Sequence, residues 1–250
     1  MKTKMLIINF FLIVQFFAIN SCSNSYTDDS TPVNSTRIIN FSGYEWIVRT
    51  SDEGQEGPGP NYFSDSEENV WVDNEGRLHL KIVRKGDGNW YCSGITLRQS
   101  QGYKKYVFYV ASRVDQLDEN VVGGLFTYKN DNEEIDIEFS KWSQSENQDS
   151  QFAIQPSDNV GNKTRYDLNL KSDLSTHFFD WKASSIEFGS YHGHTLAPNA
   201  EDVISTWTYT GNDIPPLNNE KLKLNLWLFR GNAPTNNQPA EMIIDRVEIL

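Results

Sequence analysis

Apolar and polar positions alternate along most of the chain, in short runs broken by Gly, Asn and Asp. Leu78, Leu80 and Ile82 alternate with His79, Lys81 and Val83. Val70-Trp71-Val72 and the turn residues Asp73-Asn74-Glu75-Gly76 precede them, so 70–83 predicts a hairpin. The same pattern recurs at 106–114, 123–128, 134–139, 151–154, 185–191, 204–209, 221–229 and 241–250. No stretch keeps a helical period. Many short strands with turn residues between them predict an all-β fold, a two-sheet antiparallel sandwich or a barrel. In a sandwich a concave outer face is available for a ligand. From about Ile38 onward there is no repeat, long linker or break in composition, so 38–250 reads as one domain. Its clearest loop is 54–61, punctuated by Gly and Pro.

The N-terminus follows another pattern. Lys2 and Lys4 precede an apolar run from Met5 to Ile19, the charged and hydrophobic regions of a secretory signal. The run is short for a membrane span, which needs ~20 apolar residues. Ile19-Asn20-Ser21-Cys22 resembles a bacterial lipobox, in which the Cys is lipidated and becomes the new N-terminus. Residues 1–21 are therefore expected to be a signal peptide. Residues 22–37 are expected to be a lipidated Cys22 followed by a polar, acidic tether. The expected location is the bacterial outer membrane, on the periplasmic or cell-surface side. Ordinary signal cleavage, giving a periplasmic protein, is the alternative.

The chain has 250 residues, with 22 Lys and Arg against 34 Asp and Glu, a net charge of −12. Such an acidic body repels phosphate backbones and shows no basic stripe, which argues against nucleic-acid binding. The 7 Trp, 11 Tyr and 14 Phe suit strands and also the walls of carbohydrate grooves. Two cysteines build neither a disulfide framework nor a four-cysteine zinc site. Cys92 reads as a small buried apolar residue. His79, His177, His192 and His194 are scattered, and His192-Gly193-His194 is a turn with too few partners for a metal. Phosphate loops, serine nucleophile elbows and paired-histidine zinc motifs do not occur.

The segment Glu133-Glu134-Ile135-Asp136-Ile137-Glu138-Phe139 carries candidate chemistry. On a strand, Glu134, Asp136 and Glu138 share one face, and Ile135, Ile137 and Phe139 share the other. The apolar face belongs in the core and the acidic face looks outward, either as a solvated acidic face or into a cleft. Like charges in one row destabilise a sheet, so stability alone does not account for them. Four residues place the Cα atoms of Glu134 and Glu138 about 13 Å apart, and side chains leaning together bring the carboxyls within the ~5–5.5 Å of a retaining glycosidase. Crowding raises at least one pKa and so supplies a proton donor near neutral pH.

Glu134-Ile135-Asp136-Ile137-Glu138-Phe139 resembles the catalytic strand of glycoside hydrolase family 16 in its unbulged form. Gln101-Gly102-Tyr103-Lys104-Lys105-Tyr106, Gly124-Leu125-Phe126-Thr127-Tyr128, His177-Phe178-Phe179-Asp180-Trp181, Leu224-Asn225-Leu226-Trp227 and Met242-Ile243-Ile244-Asp245 resemble further strands of that family, in the right order. The likeness covers roughly 38–250. It implies a concanavalin A-like jelly-roll sandwich with a concave groove and an endo-acting, retaining cleavage of polysaccharide. Glu134 matches the nucleophile, Glu138 the acid/base, and Asp136 the residue that tunes the nucleophile. Gln155 stands where lichenases place Tyr. Arg98 lies two residues beyond Thr96, which occupies the position of a common Arg. Asn132 replaces a lichenase Trp.

Phe126, Tyr128 and Trp142 flank the motif and are expected to stack on sugar rings. Trp181 is a further substrate-binding candidate, and Trp181 and Trp227 each fit core or groove. Trp46, Trp71, Trp90 and Trp207 read as packing residues. A cofactor is not expected; the resemblance allows a structural calcium without assigning ligands. The expected state is a monomer acting on a polysaccharide. A carbohydrate-binding or surface-interaction protein on the same sandwich is the rival reading, and transglycosylation a third.

Overall fold

The structure, a computed structural model, describes residues 36–51 and 54–250. The signal sequence, Cys22 and all but the last residues of the tether lie outside the described residues. Sixteen strands follow in chain order: β1 (Ile38–Phe41), β2 (Tyr44–Val48), β3 (Tyr62–Phe63), β4 (Val70–Val72), β5 (Leu78–Arg84), β6 (Trp90–Leu97), β7 (Lys105–Ala111) and β8 (Val121–Asn130). Then come β9 (Glu133–Phe139), β10 (Ser150–Ile154), β11 (Lys163–Tyr166), β12 (Leu174–Trp181), β13 (Ile186–His192), β14 (Val203–Tyr209), β15 (Lys221–Leu228) and β16 (Ala240–Ile249).

The predicted hairpin forms, with Val70 opposite Leu80 and Val72 opposite Leu78. Its turn is built by Asp73, whose Oδ1 accepts hydrogen bonds from the backbone N–H of Glu75 and of Arg77. Gly76 closes it at φ +83°, a left-handed conformation that favours glycine. Leu78, Leu80 and Ile82 are fully buried, as alternation requires.

Strands hydrogen-bond in the order β11-β10-β9-β8-β15-β6-β5-β16-β7-β12-β13-β14. The path doubles back at β5 and β6, which join only through Val83–Tyr91 and Arg84–Trp90. One layer therefore contains β11-β10-β9-β8-β15-β6, with β2 and β1 added at its edge. The other contains β4-β5-β16-β7-β12-β13-β14. All pairs are antiparallel except the short β3 beside β6.

The layers meet across an aromatic core. Phe139 of β9 packs edge-on against His177 of β12 at 4.7 Å, and Phe152 of β10 stacks on Phe188 of β13 at 5.0 Å. The layers come close at Gly123, where an added Cβ would lie 3.0 Å from Met242 Sδ in the facing layer. One set of polar groups inside this core satisfies itself. His177 Nδ1 and Nε2 bond the hydroxyls of Ser190 at 2.7 Å and Ser175 at 2.9 Å, and Tyr166 joins Ser190 at 2.8 Å. Burial holds the His177 imidazole at about 3, so it is neutral at physiological pH. Cys92 is fully buried beside Asn61, as expected of a small apolar side chain.

Candidate active site

The acidic face of β9 opens into a cavity of about 480 Å³ on the outer side of the first layer. The core side of the same strand fixes its orientation. Ile135, Ile137 and Phe139 are fully buried, each burial favourable by about 1.5–3 kcal/mol. A register slip of one residue would exchange these for three carboxyls, so the core sets which way Glu134, Asp136 and Glu138 point.

Neighbouring strands complete three rows across the cleft floor. Tyr128 lies opposite Glu134, Phe126 opposite Asp136, and Gly124 opposite Glu138. Beyond β8, Lys223 pairs with Phe126 and Asn225 with Gly124. On the other side of β9, Ala153 faces Asp136 and Gln151 faces Glu138. Gly124 leaves the floor low beside Glu138. A second glycine, Gly94, lies opposite Asn225, where an added Cβ would come 2.4 Å from Asn225 Oδ1.

Each carboxyl has its own hydrogen-bonding environment. Gln155 Nε2 donates to Asp136 Oδ2 at 2.9 Å, and its own Oε1 accepts from the backbone N–H of Ser157, which fixes the amide. Gln151 Nε2 donates to Glu138 Oε2 at 2.6 Å, while Arg165 Nε donates to Gln151 Oε1 at 3.3 Å. Burial raises Asp136 well above the ordinary carboxylate range, and the charges of Glu134 and Glu138 add to it. Asp136 hydrogen-bonds Glu134, an interaction that raises Asp136 and lowers Glu134. That direction favours a proton on Asp136 over one on Glu134. Burial nevertheless pushes Glu134 up to about 7 against that bond. Glu138 is raised as well, by burial, with the Gln151 hydrogen bond and the charge of Arg165 opposing. The three groups do not all ionise together.

Of the residues expected to bind substrate, Phe126, Tyr128 and Gln155 line the cavity with the three carboxyls. Three others do not. Trp181 is 1% exposed in the core, with its indole N–H donating to the Pro215 carbonyl at 3.2 Å. It sits on β12, in the layer opposite the cleft. Trp142 is nearly buried because the chain leaves β9 after Phe139 and turns through φ +49° at Trp142, so strand parity no longer places its ring. It supports Arg165, whose guanidinium lies 4.1 Å over the indole. Arg98 lies past the end of β6 and pairs with Glu45 at 2.7 Å on the sheet edge.

Four lining residues stand out that sequence reasoning passed over or left undecided: Arg49, Lys223, Asn225 and Trp227. Lys223, Asn225 and Trp227 alternate with buried Leu222, Leu224, Leu226 and Leu228. That strict alternation assigns Trp227 to the groove. Gln151, Ala153 and Gln155 likewise repeat the i, i+2, i+4 spacing of the triad one strand away. Arg49 has no such pattern, because it follows β2 and enters the cleft from its wall. Among the described residues no cluster of His, Cys, Asp and Glu is arranged to hold a metal ion, so no step is assigned to calcium.

No known family profile matches the chain, and no curated protein sequence does. Solved structures do match. A β-glucanase of Bacillus licheniformis superposes with a TM-score of 0.60 at 20% identity, over 81% of this chain and 91% of that one. A β-1,3-glucanase of Mycobacterium marinum gives 0.62 at 19% identity, over 88% and 92%. A protein of Mycobacterium tuberculosis described as an immunostimulatory antigen and pseudo β-1,3-glucanase gives 0.61 at 16% identity, over 82% and 90%. The fold is therefore the jelly-roll sandwich seen in β-glucanases.

Proposed function

We propose that the chain is an endo-acting, retaining glycoside hydrolase of the family 16 type that cleaves a polysaccharide. The observation that carries this reading is the arrangement of Glu134, Asp136 and Glu138 on one strand face in one open cavity, with Asp136 bonded to Glu134 and Gln151 to Glu138. The likeness to β-glucanase structures supports it.

In the first step the Glu134 carboxylate forms a bond to the anomeric carbon. Glu138 gives its proton to the leaving oxygen as the glycosidic bond breaks. In the second step Glu138, now a carboxylate, takes a proton from water. The water oxygen attacks the same carbon and releases Glu134. Asp136 keeps its proton throughout and donates it to Glu134 as a hydrogen bond, which favours the ionised nucleophile. Gln151 orients Glu138. The aromatic rings of Phe126, Tyr128 and Trp227 offer stacking surface to sugar rings.

A pure carbohydrate-binding role is the second reading, favoured by one observation: a structural neighbour of equal likeness is described as a pseudo-glucanase. The two are separated by incubating the protein with β-glucans, galactans and xyloglucans and reading products by mass. Hydrolysis predicts oligosaccharides that disappear with Glu134→Gln. It also predicts partial recovery of Glu138→Gln by azide, an anionic nucleophile needing no general base. Binding without any product supports the second reading.

A further inference from the structure

Away from the cleft, Trp71 of β4 takes a place that its expected packing role does not explain. Val70 and Val72 on either side of it pack into the core, so Trp71 projects from the outer face of the second layer, half-buried. Its indole lies flat on the imidazole of His79, its partner on β5, with ring centres 4.4 Å apart and planes 13° apart. His79 is fixed in turn at both ring nitrogens. Nδ1 bonds Glu241 Oε1 at 2.7 Å, and Nε2 bonds Asp73 Oδ2 at 3.0 Å. Arg77 Nε donates to the same Asp73 oxygen at 2.8 Å. An indole backed in this way is a rigid platform that loses little freedom when a ligand covers it.

Trp71 borders a surface concavity of about 470 Å³, within the ~300–1,000 Å³ of small-molecule sites. Glu67, Glu68 and Lys81 line it with Trp71, and among the described residues their charged ends, like the Trp71 indole N–H, take part in no hydrogen bond or ion pair. Both glutamates are exposed and Lys81 is half-buried. The concavity thus joins an apolar plate to free acceptors and free donors. A pyranose has the matching form, with an apolar C–H face and a rim of hydroxyls that both donate and accept.

We propose that this platform is a second polysaccharide-binding site, separate from the cleft. The indole covers the C–H face of one sugar, Glu67 and Glu68 accept hydrogen bonds from its hydroxyls, and Lys81 and the indole N–H donate to them. The choice of a polysaccharide as ligand rests on the reading of the cleft; the platform itself does not. β4 and β5 belong to the second layer, whereas the triad faces outward from the first, so the two sites lie on opposite faces of the sandwich. A sugar held at Trp71 is therefore not the sugar being cleaved. The site acts by tethering, since a polymer held on one face raises the effective concentration of its other segments at the cleft.

The test uses the full chain carrying Glu134→Gln, so that polysaccharide is not consumed. It is run by native electrophoresis in gels holding a β-1,3-glucan, a mixed-linkage β-glucan, a galactan or a xyloglucan. At least one polymer should retard the chain, and added Trp71→Ala should weaken that binding about three- to ten-fold, the loss of one stacked ring. Glu67→Gln with Glu68→Gln, and separately Lys81→Met, should weaken it in the same direction at unchanged Tm, which separates lost contact from lost fold. With Glu134 restored, Trp71→Ala should raise KM for the polymer and leave kcat/KM for a short oligosaccharide unchanged. Retardation that no platform substitution alters overturns the site and leaves the reading of the cleft intact. So does weakening by Trp71→Ala that comes with a fall in Tm while the Gln and Met substitutions have no effect. Retardation lost with Trp71→Ala but untouched by Trp227→Ala, with no polysaccharide cleaved, supports the site and overturns the reading of the cleft. No retardation in any gel overturns both.

Discussion

Glu134→Gln should stabilise the protein, and only above mildly acidic pH. The substitution keeps the shape of the side chain and an oxygen that accepts the hydrogen bond from Asp136. It removes a group that burial holds at about 7 instead of 4.5. Between those values the native state keeps a proton that the unfolded state has released. Stability then falls as pH rises, because the native state binds more protons than the unfolded one. The full loss is reached once pH passes the native value. At about 1.4 kcal/mol per pH unit, a rise from 4.5 to about 7 corresponds to ~3 kcal/mol. Sharing of one proton with Asp136, and water at the cleft mouth, reduce this to about 1–2 kcal/mol. For a domain of this size that is a rise in Tm of about 2–8 °C at pH 8. At pH 4 Glu134 is protonated in both states, and variant and parent should melt together. Thermal unfolding followed by circular dichroism between pH 4 and pH 8 measures this without any substrate. A stabilisation that does not change with pH, or a variant that loses stability relative to the parent at pH 8, would refute the buried, proton-sharing triad.

Three further outcomes are expected, two from the geometry of the cleft and core and one from the sequence around Cys22. Gln151→Met removes a hydrogen bond that lowers the Glu138 pKa, so the alkaline limb of kcat/KM should move up by about one pH unit; a limb that stays or moves down contradicts the assignment. Trp181→Ala should destabilise the fold by about 3–5 kcal/mol, while Trp227→Ala should raise KM with little change in Tm; the reverse pattern would exchange core and groove. Cys22→Ser should shift the protein from the detergent phase to the aqueous phase on partitioning, and identical partitioning of parent and variant would exclude the proposed lipid anchor.

The sequence reveals this fold where one sheet face is apolar and the other polar. β9 and β15 alternate cleanly, and in β9 the alternation predicts which face is buried. β6 and β12 escape the pattern because both of their faces are covered. In β12 the buried run includes Ser175, Thr176 and His177. Ser175 and His177 are satisfied in a chain that ends on Ser190, and Thr176 donates to the Gly193 carbonyl, pairings with β13 and its following turn that no local spacing announces. The short β1, β3 and β11 offer too few residues to show a period.

The catalytic candidates were legible for a related reason. Three carboxyls at i, i+2 and i+4 between apolar residues are costly unless a cleft receives them. Tryptophans were harder to place, because indole suits core and groove alike. Parity within a strand decides Trp227, whereas Trp181 needs knowledge of which layer its strand joins. Trp142 needs the backbone turn that follows Phe139. Arg98 shows the limit of parity, since it shares the face of Thr96 but lies past the strand end, where Glu45 takes it.

In the proposed double displacement Glu134 is the nucleophile and Glu138 the acid/base. The most direct test is proton NMR of the first product released from whichever polysaccharide the chain cleaves, recorded before mutarotation. The anomeric proton should carry the configuration of the bond that was cut, and Glu134→Gln should yield no product. A product released with the opposite configuration would contradict the covalent intermediate, and with it the role assigned to Glu134.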